Sequence, residues 1–296
     1  MKPIPITDAH VHFWNPSRLR YPWLASVPPL NRAWEPPDFS AASEGLSIEG
    51  IVFVECGREA AQNLAEAAWV TELARADSRI LGIVAHAAVE IGAAVRPDLA
   101  VLARNPLVKG VRRLLQDETE SGFCLRPAFV EGVRALAEFG LSFDLCLYHP
   151  QMPDAIELVR RCPDVTFVLD HVGKPAIREG RLDPWRGHMR ELAALPNVWC
   201  KISGMTTEAD IGRWRSEDLR PYIDHSLECF GFTRSVYGGD WPVATLATPY
   251  SRWLGEVQAA VRGVPEEDQR DLFMRNAARC YRLGSDPGRL EQEEKS

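Results

Sequence analysis

The sequence predicts an α/β fold, a (β/α)8 TIM barrel in a single domain. Three observations carry this. Eight short apolar runs recur along the chain, separated by roughly 25–45 residues, the spacing of βα units. Those runs are near-continuously apolar rather than alternating, as strands buried on both faces are. Polar residues collect just where each run stops, and in this fold the chemistry sits at the C-terminal ends of the strands.

The elements follow in order. Ile4 and Ile6 lead a first strand into Asp8-Ala9-His10-Val11-His12. Residues 15–37 form a long irregular stretch rich in Pro and Trp, of the length of a lid or binding loop. Its bland reading is a surface arm packed by its own aromatics. Ile51 to Val54 is the second strand, ending at Glu55, and helical spacing covers 59–76. Ile80 to Ala85 ends at His86, with a short helix near 98–104. Val108 to Val111 ends at Arg112-Arg113, with a helix over 127–139. Leu141 to Leu147 ends at Tyr148-His149, with a helix over 153–162. Val165 to Leu169 ends at Asp170-His171, and an Asp-Pro pair starts a helix over 184–195. Val198 to Ile202 ends at Ser203-Gly204, with a helix over 217–230. Ser235 to Gly238 ends at Gly239-Asp240, and helices over about 250–262 and 265–282 close the chain. Residues 1–283 are expected to form the barrel, and the polar stretch 284–296 a frayed tail. An open doubly wound sheet is the rival, but no Gly-x-Gly-x-x-Gly follows an early strand.

Composition narrows the function. The chain has 296 residues, 46% hydrophobic and 25% charged, with a net charge of −7. No basic stripe is visible, which argues against nucleic acid. No apolar run is long enough for a membrane span, and residues 1–7 lack a signal design, so a cytoplasmic protein is expected. Seven cysteines without a Cys-x-x-Cys pair read as buried free thiols, Cys146 and Cys200 among them.

Strand ends therefore offer His10, His12, Glu55, His86, Arg112, His149, His171, Ser203 and Asp240. Five of the seven histidines fall at or just past a strand end. His188 and His225 lie in helices and read as surface residues. His10 and His12, two apart on one strand, share a face. They can grip one divalent cation, present two donors to one substrate oxygen, or simply be satisfied on a half-solvated strand. His86 reads as a supporting histidine, and one of Arg112 and Arg113 as a guanidinium facing the pocket. Asp240, after a buried strand, needs a partner: metal, histidine or a reacting water.

The motifs resemble a known family. Tyr21-Pro22-Trp23-Leu24, Gly110-Val111-Arg112, Leu169-Asp170-His171-Val172-Gly173-Lys174-Pro175 and Lys201-Ile202-Ser203-Gly204 are similar to the amidohydrolase superfamily, within its amidohydrolase-2 group. Gly239-Asp240-Trp241-Pro242-Val243 and Asn276-Ala277-Ala278 complete the set, which spans the chain to about Leu283. The resemblance implies a distorted barrel and a sugar-lactone hydrolase of the L-fucono-1,5-lactonase or L-rhamnono-lactonase type. It departs from two-metal members, which use a modified lysine on strand four and a histidine on strand five. Here strand four ends in Arg112-Arg113 and strand five carries Asp144. One divalent ion, zinc by preference, or none is therefore expected, with His10, His12 and Asp240 as its ligands. Asp240 is expected as general base. His10 and His12 stabilise the oxyanion through a metal or directly, and His171 is a second polariser or the acid for the leaving oxygen. Arg112, Glu55, His149, Gln151 and Lys174 are assigned to substrate, with Trp34 and Trp241 stacking on a sugar face. The expected partner is a small-molecule sugar lactone, with homo-oligomers left open. A non-oxidative, metal-dependent decarboxylase of aromatic acids and a non-catalytic sugar-binding barrel are the alternatives.

Overall fold

In the computed structural model, which describes residues 4–284, eight strands form one sheet in sequence order. They are β1 (Ile6–Val11), β2 (Ile48–Val54), β3 (Ile80–His86), β4 (Val108–Arg112), β5 (Ser142–Leu145), β6 (Phe167–Leu169), β7 (Val198–Ile202) and β8 (Ser235–Tyr237). Every neighbouring pair is parallel. Past β8 the chain runs on to close the ring. Asp240 N donates to His10 O at 2.8 Å and His12 N to Trp241 O at 2.7 Å. The barrel is (β/α)8, as the strand spacing predicts.

The helices are α1 (Pro36–Ala42), α2 (Asn63–Ala76), α3 (Arg96–Ala103), α4 (Pro127–Glu138), α5 (Met152–Arg161), α6 (Trp185–Ala193), α7 (Ser216–Phe230), α8 (Tyr250–Ala260), α9 (Glu266–Arg270) and α10 (Asn276–Tyr281). A single closing helix over 265–282 was the expectation. A π turn over Asp271–Arg275 instead divides it into α9 and α10. Asn276 explains where the break falls, since its amide donates to Ser235 O at 2.8 Å and fixes α10 to β8.

Strand alternation sorts the core into two layers. Ile51, Phe53, Ile83, Phe143, Phe167 and Leu169 face the helices within the larger apolar cluster. Ala9, Val52, Val54, Val84, Val168 and Val236 form a second cluster inside the barrel, joined by Ala277, Cys280 and Tyr281 of α10. The interior is not apolar throughout. Arg112, Asp144, Asp170 and Lys201 stand on β4, β5, the β6 end and β7, each at most 4% exposed. The near-continuous apolar strands of the sequence thus hide a charged layer above an aliphatic floor.

Residues 15–37 hold two short 3-10 turns, and α1 begins inside the stretch at Pro36. Trp14 and Trp34 pair backbone to backbone at 3.0 and 2.8 Å. The indoles of Trp14 and Trp34 both donate to Leu30 O, at 3.1 and 3.2 Å, and that of Trp23 to Cys56 O at 2.7 Å. The stretch is therefore held down by its own aromatics. All seven cysteines are free, and six are buried. His225, expected at the surface, is 5% exposed. Its ring bonds Arg186 O and Glu228 and packs on Trp185, which is why α7 tolerates it inward. No helix among the described residues is long and apolar enough to cross a membrane. The expected tail, beyond Gly284, lies outside the described residues.

Candidate active site

His10 and Asp8 should share a face of β1, yet they point opposite ways. Asp8 accepts from Tyr250 of α8 at 2.8 Å, while His10 faces Lys201 across the barrel. The β1–β2 register shifts between Asp8 and Val11, an irregularity that re-aims the strand's end. Asp8 also accepts from His10 N at 2.9 Å and Gly239 N at 2.8 Å. One buried carboxylate thus fixes β1 against the loop that carries Asp240. Burial pushes its carboxyl up to about 6, against the pull of those donors. Gly239 has no alternative here: a Cβ would lie 2.4 Å from Asp8 Oδ2 and 2.3 Å from Tyr250.

Two backbone strains aim the remaining groups. His171, Val172 and Lys174 all take left-handed φ, at 54°, 48° and 42°, and Asp240 takes 53°. For a β-branched residue such as Val172 this is a true outlier, and such strain concentrates at functional sites. Gly204 makes room for the result, since a Cβ there would meet His171 Nδ1 at 2.2 Å.

The outcome is convergence. His10 Nε2 lies 3.1 Å from His12 Nε2. Asp240 Oδ1 lies 3.5 Å from His12 Nε2, 3.8 Å from His10 Nε2 and 3.9 Å from His171 Nε2. The rings are held from behind. His12 Nδ1 donates to Val54 O at 2.7 Å, and His171 Nδ1 pairs with Ser203 Oγ at 2.9 Å. Burial holds the His171 imidazole down at about 4 despite Asp240 and Asp170, and His10 well below the usual histidine range. Burial alone would raise the Asp240 carboxyl, but the surrounding imidazoles, His171 first, hold it below the usual carboxylate range. At neutral pH the cluster carries an ionised Asp240 facing neutral His10 and His171.

Beneath it lies the charged layer. Lys201 Nζ sits 2.7 Å from Asp144 Oδ2, 2.9 Å from Asp170 Oδ1 and 3.2 Å from His10 Nδ1. Arg112 reaches Glu55 Oε1 at 2.9 Å, Asp170 Oδ2 at 3.2 Å and His10 Nε2 at 3.4 Å. Tyr281 of α10 donates to Asp144 from below at 2.7 Å. These contacts brace His10 and leave its Nε2 facing the cluster. Lys201 and Asp8 stand in motifs quoted from the sequence, but no role was assigned to either. A lysine inside an apolar run, Val198-Trp199-Cys200-Lys201-Ile202, was the available signal.

The other expected residues divide. Arg112, not Arg113, faces inward, since Arg113 pairs outward with Glu90 and Glu118. Glu55 is fully buried, and its oxygens take Arg112, Arg58 and Gly57 N, so protein donors engage both of them. Gln151 is likewise spent: it donates to Leu115 O and Glu118 O and accepts from Tyr148 N. Trp241 is 1% exposed and edge-packed by Phe13, Phe39 and Trp34. Trp34 carries the Arg32 guanidinium 3.3 Å over its ring. Neither indole is brought over the histidines. His86 stays half-buried beside Glu55 and Arg58, its imidazole pushed down to about 3 by burial. His149 and Lys174 line a chamber built by the loops after β5, β6 and β7.

The donor set suits one metal ion. His10, His12 and Asp240 offer ligand atoms all within 4.8 Å of one another, and so do His10, Asp170 and His171. Zinc bonds of about 2.0–2.1 Å in a tetrahedron put ligand atoms roughly 3.3–3.4 Å apart, inside the spread of 3.1–3.8 Å in the first group. The carbonyl behind His12 is the outer support that metal-binding histidines use. For an ion on His10 Nε2, Asp170 Oδ1, 3.4 Å from Nδ1, is the acceptor for the ring proton.

Comparison with known proteins agrees with this geometry. The family model described as amidohydrolase matches residues 7–283. A protein of Burkholderia multivorans named L-fucono-1,5-lactonase is 35% identical over 292 residues, which cover 93% of this chain and 95% of that protein. One of the same name from Burkholderia ambifaria is 30% identical, covering 95% and 97%. The crystal structure of an amidohydrolase from Burkholderia multivorans with bound zinc matches with a TM-score of 0.85 at 32% identity, covering 95% of this chain and 100% of that one.

Proposed function

The chain belongs to the amidohydrolase family, and from that premise we propose that it opens a sugar-acid lactone by attack of an activated water. One observation carries the reading. An ionised carboxylate, Asp240, sits within 3.5–3.9 Å of three imidazole Nε2 atoms whose far sides are anchored. That is the equipment for ester hydrolysis: a base for the water and polar groups for the oxyanion.

In this reading Asp240 accepts a proton from the water as its oxygen attacks the lactone carbonyl carbon. His10 and His12 face the carbonyl oxygen, where negative charge develops. The Arg112 guanidinium, 3.4 Å from His10 Nε2, adds a fixed positive charge near that oxygen. The ring C–O bond then breaks, and the proton that Asp240 took from the water passes through His171, whose Nε2 lies 3.9 Å from Asp240 Oδ1, to the departing oxygen, giving an open hydroxy acid and restoring both side chains. When bound by His10, His12 and Asp240, one divalent ion, zinc by preference, supplies Lewis acidity at the same place. The proposed substrate is a six-carbon aldonolactone of the fuconate, rhamnonate or galactonate type, in keeping with the named relatives. Arg112 and Asp144 stand at the β4 and β5 positions and are already paired, so neither offers a ligand to a second metal.

Hydrolysis in 18O-labelled water tests the chemistry. Attack at the carbonyl places the label in the product carboxylate. Label in the product hydroxyl alone, from attack at the ring carbon, would refute this mechanism.

A further inference from the structure

A chamber of about 440 Å³, within the usual size of small-molecule sites, has in its wall Lys174, three residues past His171. The loops after β5, β6 and β7 build it, and Tyr148, His149, Lys174, Arg181, Thr207 and Glu208 are among its lining residues. Its walls are fixed. Arg178 N donates to Glu208 O at 3.0 Å, joining the β6 and β7 loops, and Thr207 Oγ1 donates to Gly204 O at 3.0 Å, beside His171. Lys174 belongs to both spaces. It follows the strained His171 turn, its ammonium is held by Gln116, and it lies 5.2 Å from the Tyr148 ring centre.

Glu208 is the chamber's unspent acceptor. Among the described residues no hydrogen bond or ion pair engages its carboxylate. Burial raises its carboxyl, Lys174 lowers it and Asp240 raises it, so the group senses both the chamber's cation and the catalytic base.

We infer that Glu208 is a specificity-determining residue that selects uncharged, hydroxyl-rich lactones by accepting hydrogen bonds from their hydroxyls. The inference rests on the lactonase reading and narrows its substrate class. A carboxylate only accepts, and its two oxygens match two neighbouring O–H donors. Lys174 donates to the hydroxyl oxygens beside it. Tyr148, 42% exposed, offers a flat apolar face to the C–H side of a sugar ring. The chamber's charges are mixed, with Lys174, Arg178 and Arg181 against Glu179 and Glu208. A lactone carrying its own carboxylate would meet Glu208 with like charge, and such repulsion is how sites reject near-analogues.

The test compares wild type, Glu208→Gln and Glu208→Ala on three substrates: a neutral six-carbon aldonolactone, its analogue lacking one hydroxyl, and a lactone bearing an extra carboxylate. Glu208 sits on a loop and makes only backbone contacts to it, so both variants should fold. Removal should raise KM for the aldonolactone by about 10–100-fold, the scale of a charged hydrogen bond, with kcat within about threefold. The preference for the hydroxylated over the deoxy substrate should shrink, and Glu208→Gln should improve on the carboxylated one. Unchanged KM and preference, a fall in kcat alone, or a wild type that favours the carboxylated lactone would each overturn the assignment. Those results leave lactone hydrolysis standing. A wild type inactive on all three would sink that reading, and this one with it.

Discussion

Asp240→Asn isolates the base from the architecture that holds it. Asparagine tolerates the left-handed backbone that Asp240 occupies at φ 53°. The contacts that place residue 240 are main-chain: its N–H to His10 O and its carbonyl from Ala244 N, both 2.8 Å. Both survive the change. What disappears is the carboxylate that faces the three imidazoles. Asp170 is engaged by Arg112 and Lys201, and Asp8 by Tyr250 and two backbone N–H groups. Neither can substitute. Losing a general base costs about 10²–10⁴ in rate, or roughly 3–5 kcal/mol of activation free energy at 1.36 kcal/mol per decade. The assay is proton release from an aldonolactone near pH 7, with spontaneous opening subtracted. The expected result is kcat down by at least about 10² with KM within a few-fold. Turnover within about threefold of wild type would remove Asp240 from its role as base.

Other outcomes follow from the same geometry. Metal analysis should find at most one tightly held divalent ion per chain, because the two candidate ligand groups share His10, and two ions would contradict a single site at His10, His12 and Asp240. Full activity after exhaustive chelation would assign His10 and His12 to the carbonyl oxygen itself. Lys201→Met leaves Asp144 and Asp170 without their shared cation, and breaking a buried pair costs about 3–5 kcal/mol, read as a lower denaturant midpoint. The loss should grow from pH 5 to pH 8. Asp144, already pushed up to about 6 by burial, would be raised further, and a carboxyl raised above its unfolded value contributes stability that is lost as pH rises. A midpoint equal to wild type at pH 8 would show that the two aspartates do not need Lys201, Asp170 keeping Arg112 in either case.

How much of this the sequence disclosed depends on the kind of signal. Ile51 to Val54, Ile80 to Ala85 and Val198 to Ile202 announce their strands because a strand buried on both faces must be apolar. His10, His12, His171 and Asp240 stand out because they end such runs, and the structure brings all four together. Lys201 was hidden for the opposite reason. A buried charge needs a partner, and Asp144, Asp170 and His10 are 57, 31 and 191 residues away in the chain, so only the closed barrel shows that it has three. Glu55, Gln151 and Trp241 carry the residue types of a substrate site, but their acceptors, donors and ring faces are consumed by neighbours that no local pattern reveals. Glu208 sits in a loop without periodicity, and only the chamber around it marks it out.

Wild-type protein is expected to hydrolyse sugar lactones. Proton release across a panel of aldonolactones, with carbon dioxide release from hydroxybenzoates measured in parallel, tests it most directly. The account predicts saturable turnover of at least one six-carbon aldonolactone and no carbon dioxide. No turnover of any aldonolactone, alongside steady decarboxylation of a hydroxybenzoate, would contradict it.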